Sequence, residues 1–430
     1  MVFCLQSLCL LTYIKQKHYV LCAHSYHFVY RAKQNNGGIV VAFHFFFVLL
    51  HPNNMISMMK KIVLMLVSAI LLCSCVKNGG STSGAPTELK YAKCFTVTER
   101  QDGVRLVTVN DSEHDPDQAS AYHFALVPKG QTAKDLPDGY KVVNVPIEHC
   151  IVMTLPQLSG FVELGALDRV SGMNSARTLK NAEVKARIRD GRIIQIGMEG
   201  NFDRELIIAA QPDVIFVSPS KRGGFRALND ADAVLVPYLG YKETTALGQA
   251  EWIKFVALFT GQEQQANDYF DALEARYNEL KARVDSVAER PVVMNGRVLE
   301  GLWCAEGGQS VQAQLIRDAG ARYILDDDTN TSDIKMEFEE MYAKAYAADY
   351  WTTISAQDNF TYAVMLDVDD RYADFAAFRN RHVVCCDLKA SAFRELSPMH
   401  PDLLLSDFVY AFHPELMPAD YRPTFYKPLP

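Results

Sequence analysis

The stretch from Ala246 to Ala288 constrains the fold more than any other part of this sequence. Its apolar residues recur three or four positions apart on both sides of Gly261, and Glu, Lys and Arg occupy positions between them. Pro291 follows and is typical of the region just beyond a helix. The spacing predicts two helices, or one long helix broken near Gly261. The apolar positions are Leu247, Trp252, Phe255, Val256, Phe259, Tyr269, Phe270, Leu273, Tyr277, Leu280 and Val284.

Short runs rich in β-branched residues alternate with helical patterns on each side of this stretch. Strands separated by helices of roughly ten residues are typical of mainly parallel sheets with right-handed crossovers. We therefore predict an α/β protein with two three-layer lobes, 91–245 and 290–430, joined by a helical spacer at 246–289. A ligand cleft is expected between the lobes. The alternative is a pair of surface helices on one large sheet.

The alternation predicts individual elements. Alternating apolar and polar residues at Tyr91–Val109 and Tyr122–Val127 predict an antiparallel appendage to the first lobe. The predicted strands of the lobes are Lys141–Val145, Cys150–Thr154, Asp168–Gly172, Ile193–Ile196, Val214–Val217, Val234–Pro237, Val292–Asn295, Tyr323–Leu325, Tyr350–Ile354, Ala363–Leu366 and His382–Cys386. The two halves also repeat a pattern, because Asp213 and Asp349 each stand between a predicted helix and a strand.

Length and charge narrow the class of protein. At 430 residues the chain exceeds one typical core, so two domains are expected. Residues 1–75 contain six Lys or Arg and no Asp or Glu, so the overall net charge of −8 leaves −14 on the remainder. An acidic body without a basic tract argues against a nucleic-acid partner.

The first 58 residues show no stable periodicity. We predict no folded element there and interpret 1–58 as an over-called start of translation, with Met58 or Met59 as the true start and Met55 as a further candidate. The competing interpretation is a genuine membrane segment at 39–50, but this apolar run is short for a bilayer.

A secretory signal is predicted at 59–75. Lys60 and Lys61 form a positive segment, and an apolar run of 11 residues, Ile62–Leu72, follows it. The sequence Leu72-Cys-Ser-Cys75 resembles the bacterial lipobox, in which the last Cys receives the lipid. We therefore predict lipidation at Cys75 and a flexible linker at 76–90, rich in Gly, Ser and Thr.

The cysteines of the body do not form a metal motif. Their number is odd and none has CxxC or zinc-ligand spacing, so buried thiols are expected, although an exported protein could pair two of them. They are Cys94, Cys150, Cys304, Cys385 and Cys386.

Motifs of catalysis are absent from the sequence. It contains no GxGxxG, Walker loop, GxSxG or HExxH motif, and its His residues are scattered. We therefore predict no enzyme activity, no cofactor and no resident metal. A two-lobed envelope hydrolase or transferase stays open as an alternative, as does an envelope protein that keeps the fold for interaction only.

Basic and aromatic residues follow the predicted strands, where open parallel sheets bind ligands. Arg supplies fork-like hydrogen bonds and aromatic rings supply stacking area, which suits a bulky, anionic, partly aromatic ligand. Exposed loops also contain such residues without any ligand. The candidates are Arg177, Lys221, Arg222, Tyr238, Tyr241, Trp303, Phe393 and Arg394.

Several segments in a fixed order carry a family resemblance. They are Ile151-Val-Met-Thr154 with Phe161–Gly172, Gln211-Pro-Asp213-Val-Ile, Ala250–Phe255, Gly307–Ser310 with Gln314–Gly320, Ser397–Asp402 and Phe412–Glu415. From about Pro146 to the C-terminus, the chain resembles substrate-binding proteins of the iron-siderophore/cobalamin class of ABC importers. Departures from the family are the extra N-terminal strands and Ala347-Ala348, where the family usually has Pro.

The resemblance implies two lobes on a rigid helix, with limited closure. It also implies that one Glu on each lobe pairs with Arg residues of the membrane permease. Glu205 matches this position in the first lobe, and Glu339, or secondly Glu340, matches it in the second. Glu in a first helical turn is also favoured by the helix dipole alone.

The expected function is that of a monomeric, lipid-anchored periplasmic receptor working with an ABC permease and its ATPase. The basic loops favour an anionic ferric siderophore, and the alternatives within the class are cobalamin, another corrinoid, or haem.

Overall fold

The structure, a computed structural model, describes residues 25–32, 39–46, 88–111, 120–174, 176–198, 201–219, 228 and 232–430. The chain forms two compact units, Met1–Thr82 and Ser83–Pro430. The predicted signal segment, with Cys75, lies outside the described residues, as does nearly all of the linker.

The first unit contains an antiparallel hairpin that the sequence analysis did not predict. Strand β1 (Ser25–Ala32) pairs with β2 (Ile39–Phe46), with Ser25 opposite Phe46. Val, Ile, Tyr and Phe dominate both strands, and these residues favour extended backbone without any helical or alternating pattern. The expectation of no folded element in 1–58 is therefore wrong for these two segments.

The second unit begins with a four-stranded sheet, which we call the appended sheet. Its strands are β3 (Phe95–Glu99), β4 (Arg105–Asp111), β5 (Ser120–Pro128) and β6 (Lys141–Val145), in that order. The first three are antiparallel, whereas β6 runs parallel to β5. The sequence pattern predicts β6 as a strand of the lobe, but its pairing with β5 places it in the appended sheet. A short strand can extend either sheet, and only the pairing decides which.

The N-lobe follows, with a parallel five-stranded sheet of order β13-β12-β7-β8-β9. Its strands are β7 (Cys150–Val152), β8 (Val170–Met173), β9 (Ile194–Gln195), β10 (Gly197–Met198), β11 (Asn201–Phe202), β12 (Val214–Val217) and β13 (Val234–Pro237); β10 and β11 form a separate small hairpin. Its helices are α1 (Leu155–Glu163), α2 (Ala182–Arg189) and α3 (Arg204–Ala209).

Two helices form the predicted spacer. Helix α4 (Ala246–Thr260) ends at Gly261, which adopts a left-handed conformation with φ of 76°, and α5 (Glu263–Val284) follows. Every residue of α4 except Gln249 is buried, so this helix lies inside the core, whereas α5 buries one stripe only. The alternative of two surface helices does not agree with this burial.

The C-lobe carries a sheet of order β17-β14-β19-β20-β21, parallel except for the last strand, and a small antiparallel sheet of order β15-β16-β18. The strands are β14 (Val292–Asn295), β15 (Arg297–Leu299), β16 (Leu302–Glu306), β17 (Arg322–Tyr323), β18 (Asp333–Met336), β19 (Tyr350–Ser355), β20 (Val383–Asp387) and β21 (Tyr426–Pro428). The helices are α6 (Val311–Asp318), α7 (Phe338–Ala345), α8 (Tyr362–Val368), α9 (Ala376–Arg379), α10 (Phe393–Leu396) and α11 (Pro401–Phe412).

One predicted strand of the C-lobe is a helix. The run Ala363–Leu366 lies within α8, whose N-cap Thr361 accepts a hydrogen bond from the N–H of Val364. A short apolar run fits a buried strand and a helix equally well, and here the cap decides.

A continuous hydrophobic core runs through the appended sheet, both lobes and α4. Cys150, Cys304, Cys385 and Cys386 are free thiols. Burial raises the pKa of Cys385 and Cys386 to about 12, so these two thiols are protonated near neutral pH. Within the described part of the chain, no helix has the combined length and apolarity that a membrane span requires.

Candidate ligand cleft and docking residues

A cleft of about 620 Å³ lies between the two lobes. Most of its N-lobe wall is the loop 238–244, directly after β13, with Pro156 of α1 beside it. Much of its C-lobe wall comes from the segment 393–398, after β20. Strands β13 and β20 are each the fourth parallel strand of their lobe in chain order, if the short strands β9 to β11 are not counted. Because loops at the carboxyl ends of parallel strands form the binding edge of an open sheet, the cleft lies where ligands are expected.

Two predicted tyrosines form part of the N-lobe wall. Tyr238 is buried, and its ring lies 4.7 Å from that of Trp252, so burial raises the pKa of its hydroxyl. Tyr241 is 43% exposed and supplies aromatic surface to the cleft. Gly240 between them has no room for a side chain, since a Cβ there would lie 2.9 Å from the Tyr238 ring.

Two predicted residues also lie in the C-lobe wall. Phe393 packs its ring edge-on against Phe425 at 5.7 Å, which fixes its orientation. Arg394 is exposed at the first turn of α10 and brings a positive charge to the cleft. The structure thus brings together four of the eight predicted ligand residues: Tyr238, Tyr241, Phe393 and Arg394.

An acidic pair in the same wall was missed by the sequence analysis. Glu306 ends β16, and Asp333 stands opposite it on β18. Burial raises the pKa of Glu306 to about 7, and the negative charge of Asp333 adds to this shift. The sequence contained a signal for the orientation of Glu306. Alternation along β16 places Leu302, Cys304 and Glu306 on the face opposite the buried Trp303.

Trp303 does not line the cleft, which corrects its assignment as a ligand contact. Its side chain is fully buried in the C-lobe, 5.3 Å from the ring of Trp351 and 5.4 Å from that of Phe375. Its indole N–H donates to the carbonyl of Asn295 at 3.0 Å. The inward face of β16 therefore carries this ring into the core.

Arg177, the one remaining predicted ligand residue that the structure describes, does not line the cleft. It is exposed in a turn after β8. Lys221 and Arg222 lie outside the described residues. Among the residues that the structure describes, no group of three or more His, Cys, Asp and Glu side chains could hold a metal ion.

The predicted docking acids stand at equivalent helix positions. Glu205 is the second residue of α3, after Asp203, whose carboxylate accepts the N–H groups of Glu205 and Leu206 at 2.9 and 3.2 Å. Glu339 is the second residue of α7, and Glu340 is the third. All three Glu side chains are exposed, in a first helical turn where the dipole favours negative charge.

The two docking acids differ in their surroundings. A carboxylate oxygen of Glu339 lies 3.0 Å from Arg371, which also pairs with Asp369 at 2.8 Å and stacks on Phe338 at 3.8 Å. The hydrogen bond from Arg371 lowers the pKa of Asp369. For Glu205, the described residues supply no ion pair.

Comparison with known proteins gives a consistent picture. The sequence profile of a family described as periplasmic binding protein matches residues 151–390, more than half of the chain. An uncharacterized lipoprotein of Methanocaldococcus jannaschii is 24% identical over 289 residues, covering 65% of this chain and 68% of that protein.

Two solved structures share the fold. A periplasmic binding protein from Veillonella parvula has a TM-score of 0.53 at 12% identity, covering 71% of this chain and 98% of that one. A periplasmic heme binding protein from Pseudomonas aeruginosa has a TM-score of 0.51 at 15% identity, covering 66% of this chain and 98% of that one.

Proposed function

The chain belongs to the periplasmic binding protein family, and from this premise we propose that it captures an iron-siderophore complex and delivers it to an ABC permease. The observation that carries the proposal is the cleft of about 620 Å³, whose walls combine aromatic side chains with Arg394. A volume of this size suits a compact chelate. The protein acts as a monomer and performs no chemistry on its ligand.

Binding by residues 83–430 tests the ligand class, because this segment is a compact unit with its own core. The probes are a ferric trishydroxamate, a ferric triscatecholate, haemin and cyanocobalamin. We expect saturable binding of one of the two ferric siderophores, with a change in tryptophan fluorescence. Binding of haemin or cyanocobalamin alone would contradict the iron-siderophore assignment, and binding of none would contradict the transport proposal.

Trp252 is the expected fluorescence reporter of ligand binding. The chain has three Trp residues, and Trp303 and Trp351 lie together in the C-lobe core, whereas Trp252 contacts Tyr238 in the cleft wall. Trp252→Phe should abolish the fluorescence response to the bound chelate. A response that instead disappears in Trp351→Phe would place the ligand elsewhere.

Tyr241 should contribute directly to affinity. Removing an exposed aromatic ring from the cleft should weaken chelate binding about tenfold in Tyr241→Ala, which corresponds to roughly 1.4 kcal/mol. The matched control is Tyr346→Ala, since Tyr346 is 55% exposed and does not line the cleft. Equal affinities of the two variants would contradict the cleft assignment.

We propose that Glu205 and Glu339 dock the protein onto the permease, with Glu340 as the second choice in the C-lobe. Exposed apolar side chains adjoin the acids, Leu206 and Ile208 in one lobe and Tyr342 in the other, as in a surface that binds a partner. Glu205→Lys with Glu339→Lys should abolish uptake while chelate binding stays intact. Glu279→Lys, on the exposed face of α5, is the charge control.

Lipid anchoring through Cys75 completes the proposal. The order of basic segment, apolar run and Cys supports it, as does the name of the M. jannaschii relative. Cys75→Ala should release the protein from the membrane fraction and abolish incorporation of labelled fatty acid. Cys73→Ala, two residues upstream, should remain anchored; equal release of both variants would contradict the assignment.

A further inference from the structure

We propose that the appended sheet is part of the ligand site, because it positions the loop 238–244 that forms the N-lobe wall of the cleft. The inference rests on the proposed function, since it gives these strands a role in binding. Three contacts of different chemical kinds join the sheet to this loop.

The first contact is the carboxylate of Glu243, which is only 4% exposed. It accepts the backbone N–H groups of Lys93 and Cys94 at 3.0 and 2.9 Å, directly before β3 begins. It also accepts the indole N–H of Trp252 at 2.9 Å. Moving the loop away would leave buried donors without an acceptor, which is costly. The entry to the appended sheet and helix α4 therefore share one acceptor, which belongs to the cleft loop.

The second contact is a buried ion pair between Lys242 in the loop and Asp111 at the end of β4. The two side chains are 5% and 10% exposed. Separating two buried opposite charges is strongly unfavourable, so the pair holds the loop against the sheet. Lys242 lines the cleft, whereas Asp111 does not.

The third contact is a row of aromatic rings. Phe95 on β3 meets Trp252 edge-on at 4.8 Å, and Trp252 meets Tyr238 at 4.7 Å. Gly240 packs against the same indole, where a Cβ would lie 3.1 Å from the ring. Because the three rings are closely packed, Phe95 fixes the position of Trp252, and Trp252 fixes that of Tyr238 in the cleft wall.

These contacts fix a wall that the parallel sheet alone would leave as an exposed loop. A loop held in its binding conformation loses less conformational entropy when the ligand arrives, so affinity rises without any additional contact to the ligand. Asp111 and Phe95 are positioning residues in this account, since they act through Lys242, Trp252 and Tyr238.

Asp111→Asn and Phe95→Leu in residues 83–430 test the inference. Hydrogen exchange would be followed at the amides of Lys242 and Glu243, which donate within the loop to Leu239 and Gly240. We expect exchange about tenfold faster or more in both variants, since loosening the loop opens these bonds. Affinity for the ferric siderophore that the unmodified protein binds, trishydroxamate or triscatecholate, should fall about fivefold or more.

The matched control is Glu251→Gln. Glu251 is buried and accepts the N–H groups of Lys90, Tyr91 and Ala92, so it anchors the same N-terminal segment through the same chemistry, away from the cleft. It should lower the melting temperature while leaving loop exchange and affinity within about twofold of the unmodified protein. This separates loop positioning from general stability.

Three results would overturn the inference: unchanged loop exchange in both Asp111→Asn and Phe95→Leu, equal acceleration in Glu251→Gln, or faster exchange with unchanged affinity for the siderophore that binds. If the unmodified protein binds no ferric siderophore, the proposed ligand class fails while the exchange data still decide the positioning role. If one variant does not fold, as judged by circular dichroism, the other decides.

Discussion

The two lobes share a scaffold and differ in what is attached to it. Four parallel strands are common to the two lobes, and in both sheets they lie in the order second, first, third, fourth. This order is β8-β7-β12-β13 in the N-lobe and β17-β14-β19-β20 in the C-lobe. The N-lobe extends its sheet beside the second strand, with β9, and the C-lobe beside the fourth, with antiparallel β21. The repeated part sets the geometry, and the attached parts decide what each wall of the cleft presents.

The largest effect is expected where the C-lobe holds its extra strand. Asp407 is fully buried and accepts the N–H groups of Thr424, Phe425 and Tyr426 at 2.6 to 2.9 Å. Asp407→Ala leaves these donors unpaired and should lower the free energy of unfolding by about 3–5 kcal/mol in urea titrations. Asp420→Ala, at an exposed carboxylate nearby, is the control; a similar small loss in both would mean that β21 does not depend on Asp407.

The second effect distinguishes the cleft acids of the two walls. Glu243 in the N-lobe wall accepts the N–H groups of Cys94 and Trp252. In the C-lobe wall, burial raises the pKa of the Glu306 carboxyl to about 7, against an ordinary 4.5. The folded protein keeps a proton on Glu306 that the unfolded chain releases between these values. The contribution of Glu306 to the free energy of unfolding is therefore fully present below pH 4.5 and is lost as the pH rises from 4.5 through 7.

Glu306→Gln removes this loss. The difference in the free energy of unfolding between the variant and the unmodified protein should be about 1–3 kcal/mol more favourable to the variant at pH 8 than at pH 4. Urea unfolding at both pH values measures the difference, and Glu300→Gln, at an exposed turn, is the control. An unchanged pH profile in Glu306→Gln would contradict the shifted pKa.

The third effect compares Asp213 and Asp349, which each stand between a helix and a strand in their lobe. It tests whether both contribute equally to the free energy of unfolding. Asp213 accepts the N–H groups of Glu148 and His149 at 2.6 and 3.1 Å, and Asp349 accepts that of Val292 at 2.8 Å. Both sites are exposed, so water replaces part of the lost bonding. We expect Asp→Ala to cost about 0.5–1.5 kcal/mol, more at 213 than at 349, in thermal unfolding. The reverse order would show that the number of donors does not govern the cost.

The smallest effect concerns the docking acids. Removing the partly exposed partner of Glu339 in Arg371→Ala should change the free energy of unfolding by less than about 1 kcal/mol, with a smaller change at high salt. Lys185→Ala, at an exposed cation of α2, is the control. A loss above about 2 kcal/mol would mean that Arg371 supports the C-lobe core through Phe338.

Local patterns predicted most of the fold correctly. Helical spacing located both spacer helices, and the break predicted near Gly261 is the left-handed residue between them. The resemblance to substrate-binding proteins is confirmed by the match to the periplasmic binding protein family. Two of the errors, at Lys141–Val145 and Ala363–Leu366, are short runs for which periodicity does not specify the partner or the element.

The sequence by itself determined the two α/β lobes, the helical spacer and the family, because periodicity, caps and motif order are local properties of the chain. Tertiary structure alone decided which loops meet. Tyr238 and Phe393 share a cleft because equivalent strands of two lobes face each other, and Trp303 is excluded because its face of β16 packs inward. Glu306 and Asp333 became neighbours only through strand register, and the appended sheet reached the cleft only through packing between residues more than a hundred positions apart. Such contacts depend on the whole folded chain, and no local pattern specifies them.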